Sequence, residues 1–87
     1  MPEETTTPQV AFGRVLRAAR LKASISQEGL ALDSTVQRQF ISLIERDENQ
    51  PTISTIFRLA SALHTRPSEL MALTEAEMEK SGQGQES

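Results

Sequence analysis

Apolar side chains recur along most of this chain every three or four positions, so the pattern predicts helices and no strands. Phe12, Val15, Leu16 and Ala19 share one face of a segment from about Gln9 to Lys22, with Arg14 and Arg17 on the opposite side and Arg20 at the stripe's edge. Ser26 is placed to cap a second helix to about Leu32. Gly29 lowers that helix's propensity by roughly 1 kcal/mol relative to alanine, so packing of Leu30 and Ala31 must hold it. Asp33, Ser34 and Thr35 form a polar turn, and a third helix follows from about Gln37 to Arg46. Ile41 and Ile44, with Phe40 beside them, take its inner half; Arg38, Gln39, Ser42 and Arg46 take the outer half. After the polar loop Asp47 to Pro51, Thr52 can cap a fourth helix whose Ile53, Ile56, Phe57, Ala60 and Leu63 predict one amphipathic stripe, ended by His64 and Thr65. Pro67 suits the first turn of a fifth helix carrying Leu70, Met71 and Leu73.

The pattern gives out at both ends. Residues 1–8 read as a flexible N-terminal arm, 9–73 as one compact all-α, five-helix domain, and 74–87 as an acidic tail, frayed or disordered. Thr74 and Glu77 have capping-box spacing, but no apolar run follows them. The 87 residues support one small core, which needs efficient packing or a partner. The formal net charge is -3, yet the arginines and Lys22 within Pro8 to Leu73 leave that body weakly basic and put the acidity in the ends. With no cysteine, one histidine and no glycine-rich phosphate loop, the chain offers no catalytic centre, metal site or cofactor cradle. His64 reads as a helix C-terminal residue favoured by the dipole. No basic, apolar leader and no run of ~20 apolar residues is present, so a soluble, cytoplasmic protein is expected.

Two short helices joined by a tight polar turn, Ser26 to Pro51, have the layout of a helix-turn-helix DNA reader. The residues carry a resemblance as well: Gly13, Arg17 and Arg20; Ser26-Gln27-Glu28 with Leu30-Ala31; Val36 with Arg38; Ile41-Ser42 and Ile44-Glu45-Arg46; Pro51-Thr52; and Leu59-Ala60 with Ala62-Leu63. In that order and spacing, Phe12 to about Leu73 resembles the lambda-repressor-like, or XRE-type, helix-turn-helix domains of phage repressors, Cro proteins, restriction-modification controllers and antitoxins. The chain departs from the family at Ser24, Thr35 and Asp47, where glycine is common and positive φ is often required. Local strain or an altered turn is expected there.

The resemblance implies that the third helix enters the major groove while the second lies across the phosphate backbone. Arg38 is then the foremost base reader, because a guanidinium can bind guanine O6 and N7 together. Gln37 and Gln39 can pair with adenine or touch phosphates, and Ser42 is small enough for close approach, or is simply an outward polar residue. Gln27, at the start of the second helix, would donate to a phosphate, aided by the helix dipole. Arg46, Asn49, Gln50 and Thr52 cluster where this family touches the backbone; Arg14 and Arg17 are further phosphate candidates, with a solvated helix face as the equal alternative. The resemblance implies a structural salt bridge between Arg20 and Glu45. It also implies a homodimer, with Leu70, Met71 and Leu73 serving the interface or completing the core beneath the fourth helix.

These readings converge on a sequence-specific transcriptional regulator without enzymatic activity. Its partner would be double-stranded DNA, bound as a homodimer on a pseudo-palindromic operator, with repression favoured because so small a chain can act by occupying a promoter. The rival is a protein-interaction module or antitoxin whose main role is to bind a partner protein.

Overall fold

Thr7, Ser26 and Thr52 each fix the start of a helix by accepting a backbone N–H from three residues on: Val10 at 3.2 Å, Gly29 at 2.9 Å and Thr55 at 3.2 Å. The computed structural model describes the backbone of residues 6–86 and the side chains of residues 6–80. The helices are α1 Pro8–Lys22, α2 Gln27–Ser34, α3 Arg38–Glu45, α4 Ile53–Ala62 and α5 Pro67–Glu86, and there is no strand among the described residues. Pro8 lies in the first turn of α1, where its missing N–H costs no hydrogen bond, so that helix begins inside the segment expected as an arm. The first five residues of that arm lie outside the described residues.

Three helices end in the same way. After α1, Ser24 N–H bonds Leu21 O and Ile25 N–H bonds Arg20 O, both at 3.0 Å; after α3, Asp47 and Glu48 bond Ile44 O and Leu43 O at 3.2 and 2.8 Å. After α4, His64 and Thr65 bond Ser61 O and Ala60 O, again at 3.0 Å. This paired closure requires a left-handed residue, and Ser24, Asp47 and His64 supply it at φ 60°, 65° and 58°. Thr35 is the fourth, at φ 59°, and it makes the turn between α2 and α3. The helix-turn-helix keeps the backbone geometry for which glycine is suited, using residues that carry a Cβ. Asp33 and Ser34, expected in the turn, instead belong to α2, whose Ser34 is buried with its hydroxyl accepting the Val36 N–H at 3.2 Å.

Phe12, Val15 and Leu16 of α1 meet Leu30, Val36, Ile41, Ile44, Leu59, Ala60, Ala62 and Leu70 in one core. Gly13 lets α1 lie directly on the end of α3: a Cβ there would stand 2.5 Å from Ile44 O. The buried face of α4 keeps Ile56, Ala60 and Leu63 of the expected stripe but not Ile53 or Phe57. Leu59 is fully buried and Ile56 and Leu63 pack against the core, while Ile53 and Phe57 are 74% and 58% exposed. The core direction is centred near Leu63, and Phe57 stands roughly 120° around the helix from it.

α5 does not stop at Leu73. It is helical to Glu86, so residues 74–80 of the expected tail are an ordered face. Thr74 caps nothing; it is buried in mid-helix, with its hydroxyl donating to Leu70 O at 2.7 Å. Glu77 pairs with Arg14 of α1 at 3.3 Å instead of closing a capping box. Leu70 is 1% exposed and belongs to the core, which removes it from the expected dimer surface; Met71 and Leu73 are exposed.

Candidate nucleic-acid interface

The outer face of α3 begins at its N-terminus. Gln37 is the N-cap residue, with no side-chain capping bond, and its side chain is exposed together with those of Arg38 and Gln39. Ser42, one turn on from Arg38, is half-buried, and its carbonyl accepts the Arg46 N–H at 3.1 Å. Beneath this face Ile41 and Ile44 are fully buried and hold the helix in place. No described side chain pairs with Arg38 or Gln39, so their donors are available to an outside acceptor.

The loop after α3 brings the remaining residues close together. Arg46 lies 3.7 Å from Glu48, with both side chains more than half exposed, so this pair is weak and readily exchanged. Asn49 accepts the Gln50 N–H at 2.9 Å, Thr52 caps α4, and Gln9 reaches across from α1 to donate to Asp47 O at 2.9 Å. Arg17 is exposed on α1 and unpaired with any described side chain. Arg14, the other outward arginine of α1, is already engaged by Glu77.

Behind this surface lies a hydrogen-bonded ion pair. Arg20 donates from Nε to Glu45 Oε2 at 2.8 Å and from Nη2 to Glu45 Oε1 at 3.0 Å, with side-chain exposures of only 9% and 3%. Its Nη1 donates to Ile25 O at 3.0 Å, tying in the residue before the cap of α2. The hydrogen bond to Glu45 raises the Arg20 pKa, burial opposes it, and the Glu45 charge adds to the rise, so the guanidinium is firmly cationic. The half-buried Gln27 donates from Nε2 to Glu45 Oε1 at 3.1 Å.

Sequence reasoning missed two of these contacts. The Arg14–Glu77 pair spans the chain from α1 to a stretch expected as tail; its one legible signal was that Leu70, Thr74 and Glu77 continue a single helical face. The Gln27–Glu45 bond had no local signal, since its partners are 18 residues apart and meet only when α2 packs on α3. Between α1 and α5 runs an open groove of about 620 Å³, walled in part by Val15, Ala19, Leu63 and Leu73. Among the described residues no group of His, Cys, Asp or Glu could hold a metal ion, and no helix is long and apolar enough to cross a membrane.

Comparison with known proteins adds lineage to this geometry. The helix-turn-helix (HTH_3) family model matches residues 16–70. The chain is 34% identical over 71 residues to the control protein C.BamHI of Bacillus amyloliquefaciens, a match spanning 80% of this chain and 88% of that one. Among solved structures, it is similar to the restriction-modification controller protein C.AhdI from Aeromonas hydrophila, with 37% identity, TM-score 0.69 and coverage of 71% and 94% of the two chains. The clp gene regulator ClgR from Corynebacterium glutamicum superposes with TM-score 0.89 over 95% of this chain and 88% of its own; at 18% identity it shows the shared fold alone.

Proposed function

The chain belongs to the helix-turn-helix (HTH_3) family and is a DNA-binding transcriptional regulator; from that premise we propose that it acts as a homodimeric repressor on a pseudo-palindromic operator. The observation that carries the reading is the exposed, unpaired Arg38 and Gln39 at the start of a helix whose opposite face is fully buried. Laid in the major groove, α3 would read bases with Gln37, Arg38, Gln39 and Ser42. Gln27, Arg46, Asn49, Gln50, Thr52 and Arg17 would meet the flanking phosphates and fix the docking register. Two copies, joined through a surface that includes Met71 and Leu73, would place two such helices about one DNA turn, ~34 Å, apart. The two controllers among its relatives support a regulatory role.

The test is a selection of bound sites from random duplex, followed by affinity measurements against salt for the wild type and Arg38→Ala. The selected sites should be paired half-sites. Arg38→Ala should cost about 1–3 kcal/mol on the best site and flatten the preference at one base position. Binding that is indifferent to sequence and salt would overturn the reading and favour a protein partner.

A further inference from the structure

We infer that Glu45 is a positioning residue for DNA binding: its buried carboxylate on α3 fixes which donor of Gln27 is presented to the phosphate backbone. This rests on the DNA-binding reading above and adds to it the reason Gln27 is pre-set. An ionised carboxylate only accepts hydrogen bonds, so it can meet the Gln27 amide only at Nε2, never at Oε1. With one Nε2 hydrogen held by Glu45 Oε1 at 3.1 Å, the second is the donor left for a phosphate oxygen. The carboxylate cannot swing to follow the amide, because Arg20 grips both of its oxygens and is itself bonded to Ile25 O. Orientation at the start of α2 is therefore inherited from an ion pair formed between α1 and α3.

Holding a long side chain in its bound rotamer removes part of the ordering cost of association, here roughly three- to tenfold in affinity. The sign of the effect is diagnostic. Removing a negative charge near DNA should tighten binding if only long-range attraction matters, whereas loss of positioning weakens it. Gln27 is uncharged, so losing its contact should lower affinity on every sequence while leaving the salt slope unchanged.

The experiment measures affinity for a random-sequence duplex of about 20 base pairs across a salt series, for the wild type, Gln27→Met, Glu45→Gln and the double variant. Each single variant is expected to bind roughly three- to tenfold more weakly, with the slope of Gln27→Met unchanged and no further loss in the double variant. Folded Glu45→Gln that binds as tightly as the wild type or tighter, or losses that multiply in the double variant, overturns the inference. Should Glu45→Gln fail to fold, the side-chain amide protons of Gln27 decide in the wild type by NMR. One protected proton, with the other shifting on addition of the duplex, supports the assignment; two equally exchanging protons overturn it. A wild type showing no salt-dependent binding refutes the DNA reading itself, and the inference with it.

Discussion

Glycine and left-handed backbone change places in this chain at the level of single residues. Gly13 sits in the middle of α1 at ordinary helical φ, where propensity alone would favour alanine by up to about 1 kcal/mol. The Ile44 carbonyl oxygen, 2.5 Å from where a Cβ would stand, reverses that sign, because the neighbour is backbone and cannot rotate away. Gly13→Ala is expected to destabilise by about 1–3 kcal/mol in denaturant titrations; a gain would show that α1 and α3 can separate without loss. Thr35 presents the opposite case, a β-branched residue at φ 59°. Thr35→Gly should stabilise by about 1 kcal/mol, seen as a rise of roughly 4–8 °C in Tm, since relief of the left-handed conformation outweighs the added chain entropy. Positive φ at Ser24, Thr35 and Asp47 is legible in the sequence, because the family resemblance places glycine there. At His64 it is not, since a histidine at a helix end gives no sign of its backbone angle.

The elements differ in how far their amphipathic pattern predicts their packing. α3 is legible because its apolar residues are few and sharply one-sided: Ile41 and Ile44 point in, Arg38 and Gln39 out. α4 is ambiguous because apolar residues cover more than half its circumference, so periodicity does not choose between Phe57 and Leu59 for the core; contact with α2 and α5 chooses Leu59. In α5 the expected boundary fails for a different reason. Beyond Leu73 only Ala76 and Met78 are apolar, but Thr74 satisfies its hydroxyl on Leu70 O and Glu77 finds Arg14, so the polar face of the helix also meets a partner on α1 as the helix continues. The split between Leu70 and its neighbours is directly measurable. Leu70→Ala should lower unfolding free energy by about 2–5 kcal/mol at any protein concentration, as for a buried leucine. Leu73→Ala should leave the isolated fold within about 1 kcal/mol and instead weaken self-association in sedimentation or light scattering; equal losses from both would place Leu73 in the core.

Across the folded chain, the Arg20–Glu45 pair is the tie among α1, α2 and α3. Arg20→Met strands a carboxylate that is 3% exposed and should cost about 3–5 kcal/mol, a large part of the stability of so small a domain. Its pH signature follows from the direction of the shift. A folded pKa raised above the ordinary arginine value gives a contribution fully present below that value and lost only as pH rises through the folded one. Melting curves of His64→Gln between about pH 6 and 9, where neither that histidine nor the lysines titrate, should show no step from Arg20, and a step there would contradict the guanidinium's fixed charge. A weakly basic body with acidic ends also accounts for the arrangement of charge on α1: Arg14 is neutralised within the chain by Glu77, while Arg17 stays free.

Local pattern is enough to predict helices and no strands, the turn-linked layout of the second and third helices, and which residues of α3 face outward. Helical periodicity, caps and turn positions are set by neighbours three or four residues away, so they are written in the order of the residues. Packing between helices settles the rest: Leu70 is core, Ile53 and Phe57 are not, α5 runs on past Leu73, and Gln27 is held by Glu45. Those outcomes depend on which helix lies against which, and a partner 18 or 63 residues away leaves no periodic trace in the segment it stabilises.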